Sequence, residues 1–267
     1  MGAFLAYGFM QRALAAGLFV ALACAVLGVF LILRKDAMIG HGLSHITFAG
    51  VALGLFLRMM PLAVALVFSV VASLGIMKLK DRAGLYGDTA IAIVSSAGLA
   101  RGIILASLSR NPGVALLNYL FGEILAIDAI EVGLSVALAA AVVAVLAANY
   151  RRLMFMTFDR EAAQVAGVPV RRLDALLTVL TSITIVLGMK VAGILLVSAL
   201  LVIPAAAGLM RAASFRTAVA LACAVSTASV AAGLAAAYAL DLPASGTIVM
   251  VSLLLFGGLA LRRRKAA

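Results

Sequence analysis

Charged residues are scarce in this chain of 267 residues. Lys, Arg, Asp and Glu together make up 12% of it, whereas hydrophobic residues make up 66% and the mean hydropathy is +1.24. A soluble globular domain is about one quarter charged, and the 21 basic and 10 acidic side chains here are too few to cover a soluble fold of this size. The composition therefore excludes a soluble domain and indicates an integral membrane protein.

The chain has only two cysteines, and the dipeptide Gly-Lys is absent from it. The two cysteines, Cys24 and Cys223, both lie within apolar runs, which predicts buried free thiols and no disulfide framework. The dipeptide Gly-Lys does not occur, which excludes the phosphate-binding loop G-x-x-x-x-G-K-[ST]. The chain therefore carries no such motif with which to bind ATP.

The basic residues exceed the acidic ones, and the formal net charge is +11. They lie singly or in short clusters between apolar runs, as membrane orientation requires, and do not form one basic surface. We therefore expect a lipid bilayer, and no nucleic acid, as the surrounding partner.

Apolar runs of about 20 residues predict an all-α polytopic membrane protein, a compact bundle of about eight or nine transmembrane helices. We expect one transmembrane domain over 1–267, in which the longest polar stretch is a loop at about 149–174. The segment 114–127 is too short to span comfortably and is predicted to be a half-helix or a re-entrant piece. The nine runs that are long enough cover 13–33, 37–57, 61–77, 88–108, 129–148, 175–189, 191–209, 217–240 and 243–261.

The positive-inside rule orients these runs. It places the loop 149–174 in the cytoplasm, and four spans later the basic C-terminal tail is cytoplasmic too. If the clusters 34–35 and 78–82 are also inside, the chain has nine spans and its N-terminus is outside. Pairing of 114–127 with a neighbouring run, or loss of one span, would give eight spans and an internal N-terminus, so both counts stay open at this point.

Two histidines, the only ones in the chain, lie four residues apart in the second run. On a helix, His41 and His45 share a face and could contact one ion. Imidazole suits zinc and its neighbours, and polar groups in membrane spans usually face a cavity or a partner. Gly40 and Gly42 suggest close backbone approach or a broken helix. Asp88, at the start of the fourth run, is a candidate third ligand.

The loop 149–174 contains an EAA-x-x-x-G pattern. It is formed by Glu161, Ala162, Ala163 and Gly167, and Asp159 precedes it as a candidate N-cap. The pattern predicts a short helix at the membrane surface that ends at a glycine turn. Elsewhere, the small-residue pairs 50/54 and 98/102 predict tight helix packing.

These motifs together resemble the permease subunit of bacterial metal-uptake ABC transporters of the zinc, manganese and iron type. The resemblance runs from about residue 5 to 262. It is carried by LRKDAMIGHGLSH at 33–45 with AGVA at 49–52, DTAIAI at 88–93, LFGEIL at 120–125, FDREAAQVAG at 158–167, and GILLV with LVIPAA at 193–206.

The resemblance implies a bundle like that of type II ABC importers in a bacterial plasma membrane. It implies a homodimer with a central pathway, two cytoplasmic ABC ATPase subunits that use the ATP, and an extracytoplasmic metal-binding protein. The chain would then be no enzyme and would hold no permanent cofactor. Its cargo would be a divalent metal ion that passes His41, His45 and Asp88, and its ATPase-docking residues would be Asp159, Glu161, Ala162, Ala163 and Gly167.

Two positions depart from the family pattern. His41 stands where the family usually has Asp, and Asp88 stands where it often has Glu. Two imidazoles favour zinc, because manganese prefers oxygen ligands, with manganese or iron as the other cargoes. The alternative functions are a secondary metal carrier or channel, which would need coupling charges such as Asp88, Arg101 or Glu131, and an ABC permease for a non-metal substrate.

Overall fold

Helices dominate because the interior of a membrane has no water to form hydrogen bonds with the backbone. Each backbone N–H and C=O must therefore find its hydrogen-bond partner within the membrane-spanning segment. The computed structural model describes residues 7–83, 87–108, 122 and 127–264. The described helices are α1 (Gly8–Leu33), α2 (Met38–Phe56), α3 (Pro61–Ala83), α4 (Gly87–Leu108), α5 (Ala129–Ala148), α6 (Tyr150–Phe158), α7 (Arg160–Val165), α8 (Val170–Ala192), α9 (Ile194–Arg211), α10 (Phe215–Leu240) and α11 (Ala244–Arg264).

Nine of the described helices are long and apolar enough to cross a membrane, namely α1–α5 and α8–α11. The all-α fold is therefore confirmed, and nine is the count among the residues that the structure describes. The predicted half-helix at 114–127 lies outside these residues except for Gly122 and Ile127. The helix α8 begins at Val170, five residues before the predicted span, because Arg171 and Arg172 lie on its exposed side and do not interrupt it.

The chain divides into two compact units. The first contains residues 1–32, 118–140 and 187–267, and its close helix contacts depend on glycine. A methyl group at Gly28 of α1 would overlap the backbone carbonyl of Leu201 in α9, and one at Gly233 of α10 would lie 2.6 Å from the Cα of Ile248 in α11. Small residues let these backbones approach, which is how membrane helices gain van der Waals contact.

The second unit contains residues 33–117 and 141–186. Its α2 packs between α3 and α4. A methyl group at Gly50 or Gly54 would lie 2.6 Å from a Cα of α3, and one at Gly98 or Gly102 would press on α2. The small-residue pairs predicted from the sequence are thereby confirmed as helix contacts. Buried hydroxyls add to the packing, since the hydroxyl oxygens of Thr47 in α2 and Ser69 in α3 lie 3.2 Å apart, within hydrogen-bond distance.

Candidate functional site

Two imidazoles meet at the start of α2. His41 and His45 lie one helical turn apart, and their Nε2 atoms are 3.2 Å from each other with the rings nearly perpendicular, at 88°. A zinc ion with two imidazole ligands at about 2.0–2.1 Å and a tetrahedral angle holds their nitrogens about 3.3–3.4 Å apart. The separation is close to that of two ligands of one ion, and it is also that of an Nε2–H···Nε2 hydrogen bond between the rings.

The helix that carries the pair is continuous. It runs unbroken from Met38 to Phe56, so the broken-helix interpretation is wrong, whereas close approach is confirmed at Gly42. A methyl group at Gly42 would overlap Cγ2 of Ile91, so only glycine lets α4 come this close. Gly40 accepts a 2.9 Å hydrogen bond from Ser44, which satisfies this polar side chain inside the membrane.

An open cavity of about 490 Å³ lies between α2 and α4 of the second unit. His41 and His45 both line this cavity, the first exposed and the second half-buried. Asp88, in the first turn of α4, lines it as well. Ser95 and Ser96 make the α4 wall polar as well. Among the described residues no three His, Cys, Asp or Glu side chains are close enough to hold one metal ion. The structure thus brings the histidines together and leaves Asp88 on the wall of the same cavity.

The EAA-x-x-x-G pattern forms α7, and the two ends of this six-residue helix are capped. The Asp159 carboxylate accepts the N–H of Ala162 at 2.9 Å, as an N-cap should. At the other end Gly167 has φ +78°, and the N–H groups of Gly167 and Val168 donate to the carbonyls of Gln164 and Ala163 at 3.0 Å. This is the Schellman arrangement, so the predicted cap and the predicted glycine turn are both confirmed.

Two large apolar side chains are exposed near α7, one at the end of α6 and one at the end of α7. Val165 is 91% exposed and Phe158 is 68% exposed. Glu161 is exposed beside them, whereas Ala163 is fully buried and anchors the helix to its own unit. Exposed apolar side chains that lie close together at a loop are a feature of protein–protein contacts.

A charged cluster that the sequence did not reveal lies close to α7. Asp174 in α8 is bonded through Oδ1 to Arg34 and through Oδ2 to Arg160, the latter at 2.7 Å. Its side chain is only 10% exposed. Asp36 forms a second ion pair with Lys80 of α3. The one sequence signal for this cluster was an aspartate at the beginning of an apolar run, where a membrane helix rarely keeps an unpaired charge.

Comparison with known proteins identifies the class. The ABC 3 transport family model matches residues 6–261. The high-affinity zinc uptake system membrane protein ZnuB of Haemophilus influenzae is 35% identical over 247 residues, which are 91% of this chain and 94% of that protein. The manganese transport system membrane protein MntC of Halalkalibacterium halodurans is 31% identical over 94% of this chain and 86% of its own length.

A solved structure shares the fold. PsaBC from Streptococcus pneumoniae, solved in complex with Fab, superposes with a TM-score of 0.85 at 30% identity, over 95% of this chain and 91% of that one. Our chain therefore shares the fold of this solved structure. The chain belongs to the ABC 3 transport family.

Proposed function

We propose that the chain is the transmembrane permease subunit of an ATP-driven importer of divalent metal ions, with zinc as the favoured cargo. The observation that carries this proposal is the histidine pair, whose Nε2 atoms lie 3.2 Å apart on the wall of an open cavity. Two ligands hold an ion loosely enough to release it, whereas a closed four-ligand site would retain it. A relative named for zinc uptake supports the choice of metal, although relatives named for manganese are nearly as similar.

The pathway is formed by a homodimer in this proposal. The helix α4 supplies one wall of the cavity, yet only 17% of the residues in its most apolar stretch are buried. The wall carries Asp88 and two serines, which lipid tails do not cover favourably. A second copy of the chain would cover this polar face and could bring further ligands to the ion.

The ATPase subunits dock on α7 in this proposal. The chain has no phosphate-binding loop, so cytoplasmic ABC ATPase subunits hydrolyse the ATP and the permease itself is no enzyme. The exposed Phe158, Glu161 and Val165 offer them an apolar surface with one charge, which Asp159, Ala162, Ala163 and Gly167 hold in shape. An extracytoplasmic metal-binding protein delivers the ion on the other side of the bacterial plasma membrane, and the C-terminus is cytoplasmic.

The secondary-carrier alternative has less support. Of the three coupling charges that the sequence offered such a carrier, Asp88, Arg101 and Glu131, the last is already paired with Lys190. An ABC permease for a non-metal substrate would have no use for two imidazoles at ligand separation.

Whole-cell metal content tests the proposal. We would measure zinc, manganese and iron in metal-limited cells that lack the chain and all competing uptake systems, and then restore the intact chain, His45→Ala or Ser96→Ala. We expect the intact chain and Ser96→Ala, which alters the same cavity wall, to restore zinc, and His45→Ala to lower uptake about tenfold or more. A deficit in manganese or iron alone would overturn the choice of metal, and no deficit in any metal would overturn the transport function.

A further inference from the structure

Asp174 joins three separate parts of the second unit at one carboxylate. Arg160 is the first residue of α7, Asp174 lies one turn into α8, and Arg34 lies in the turn between α1 and α2. Each carboxylate oxygen receives a different guanidinium, so the two arginines are not interchangeable. Arg34 is 10% exposed and Arg160 is 51% exposed, so one end of the link is buried and the other is at the surface.

The turn that holds Arg34 is directly connected to the helix of the histidine pair. Lys35 has φ +59°, a left-handed conformation that a lysine adopts only when its surroundings impose it. The carbonyl of Asp36 accepts the N–H of Ile39 at 3.0 Å, which ties the turn to the first turn of α2. The Asp36 carboxylate is held by Lys80, so the turn is fixed from two sides.

The cluster also has space beside it. A cavity of about 310 Å³ is lined by Arg34, Lys80, Arg160 and Asp174, among others. A buried carboxylate is costly unless its partners stay with it, so Asp174 should follow Arg160 or lose a charge-assisted bond. Movement of α7 therefore has a defined route to α2 and room in which to occur.

We propose that Asp174 is a positioning residue that passes movement of α7, through Arg34, to the start of α2 and so to His41 and His45. This inference rests on the proposed function, in which α7 docks the ATPase subunits. It adds a specific route from the ATPase subunits to the metal, which begins at Arg160 on α7 and continues through Asp174 and Arg34, outside the cavity that the histidines line.

Two linked measurements on the assembled complex test the route. The permease, its ATPase subunits and its metal-binding protein are reconstituted in liposomes, and zinc uptake and ATP hydrolysis are measured in the same vesicles. The variant Arg160→Gln removes the ion pair with Asp174 at the surface. Asp174 remains paired with Arg34, so the variant should fold. We expect ATP hydrolysis to persist while zinc transported per ATP falls at least about fivefold, the lower range of measured site–site coupling.

A second readout separates coupling from stability. In detergent, we expect magnesium–ATP with vanadate to change the apparent zinc affinity of the intact complex and not that of Arg160→Gln or Asp174→Asn, while the affinity without nucleotide stays the same in all three. The matched controls are Arg171→Gln, an exposed arginine three residues from Asp174, and Asp241→Asn, an exposed aspartate in the other unit. Both should behave as the intact chain.

The outcomes are distinct. If the intact complex transports no metal, the proposed function fails. If it does transport metal and Arg160→Gln retains both the normal transport per ATP and the nucleotide effect on zinc affinity, the route through Asp174 is overturned. If Asp174→Asn does not assemble, Arg160→Gln alone decides between these results.

Discussion

His41 and His45 face the same cavity, and the chemistry of their imidazoles determines which metal ion the cavity favours. Imidazole nitrogen binds zinc well, whereas manganese prefers carboxylate and water oxygen. The family pattern that the sequence resembles usually has an aspartate where this chain has His41. The side chain at position 41 is exposed to the cavity, so its replacement does not disturb the packing of α2.

We expect His41→Asp to shift selectivity from zinc toward manganese. Replacing one of two nitrogen ligands by oxygen should lower the preference for zinc by about tenfold, or about 1.4 kcal/mol. Competitive uptake of radioactive zinc and manganese by reconstituted complexes measures the ratio. Met38→Leu, one turn earlier on the wall of the same cavity, is the control. An unchanged ratio would show that His41 does not contact the ion.

The spacing of the two histidines was sufficient to predict their contact, because residues four apart on a helix are always neighbours. The cap at Asp159 and the turn at Gly167 were predictable for the same reason, since each acts within a few residues. The Asp174 cluster was not predictable in this way. Arg34 lies 140 residues from Asp174, and only the packing of α8 against the turn before α2 brings them together.

At the scale of single elements, α7 is too short to be stable alone. Helices shorter than about 12 residues are marginal in water, and this one has six residues. Its stability comes from its two caps and from the buried Ala163. A change at either cap should therefore alter the docking surface without disturbing the membrane helices.

We expect Gly167→Ala to reduce coupling between ATP hydrolysis and transport while the chain stays folded. A methyl group at Gly167 meets no atom within 4 Å, so the cost comes only from the positive φ of +78°, about 1–2 kcal/mol. The measurements are transport per ATP and the thermal stability of the permease. Gly246→Ala in α11 is the matched control. Like Gly167, Gly246 has open space around the position of the added methyl group, but its φ is not positive. Normal coupling in Gly167→Ala would count against docking at α7.

The existence of each long helix followed from its apolar run, whereas the ends of two helices did not. The helices α3 and α8 extend into charged segments that the sequence assigned to loops. Charged residues do not break a helix where they point away from the packed side, as Arg171 and Arg172 do at the start of α8. Hydropathy alone marks where a chain enters the apolar layer and not where its helix begins.

At the scale of the whole molecule, the number of spans decides on which side the N-terminus lies. Nine candidate spans occur in the part of the chain that the structure describes. An odd number places the two termini on opposite sides, and the basic tail and the loop 149–174 favour a cytoplasmic C-terminus. Eight spans would instead place both termini inside.

Cysteine labelling in spheroplasts distinguishes the two arrangements. The native Cys24 and Cys223 are first replaced by alanine, and single cysteines are introduced at Gly8, Ala213 or Asp241, which are all exposed next to helix ends. A membrane-impermeant maleimide should label the Asp241→Cys chain in intact spheroplasts and the Ala213→Cys chain only after permeabilisation, because α10 separates these positions. With nine spans, Gly8→Cys behaves like Asp241→Cys. Protection of Gly8→Cys in intact spheroplasts would require an even number of spans and would overturn the nine-span arrangement.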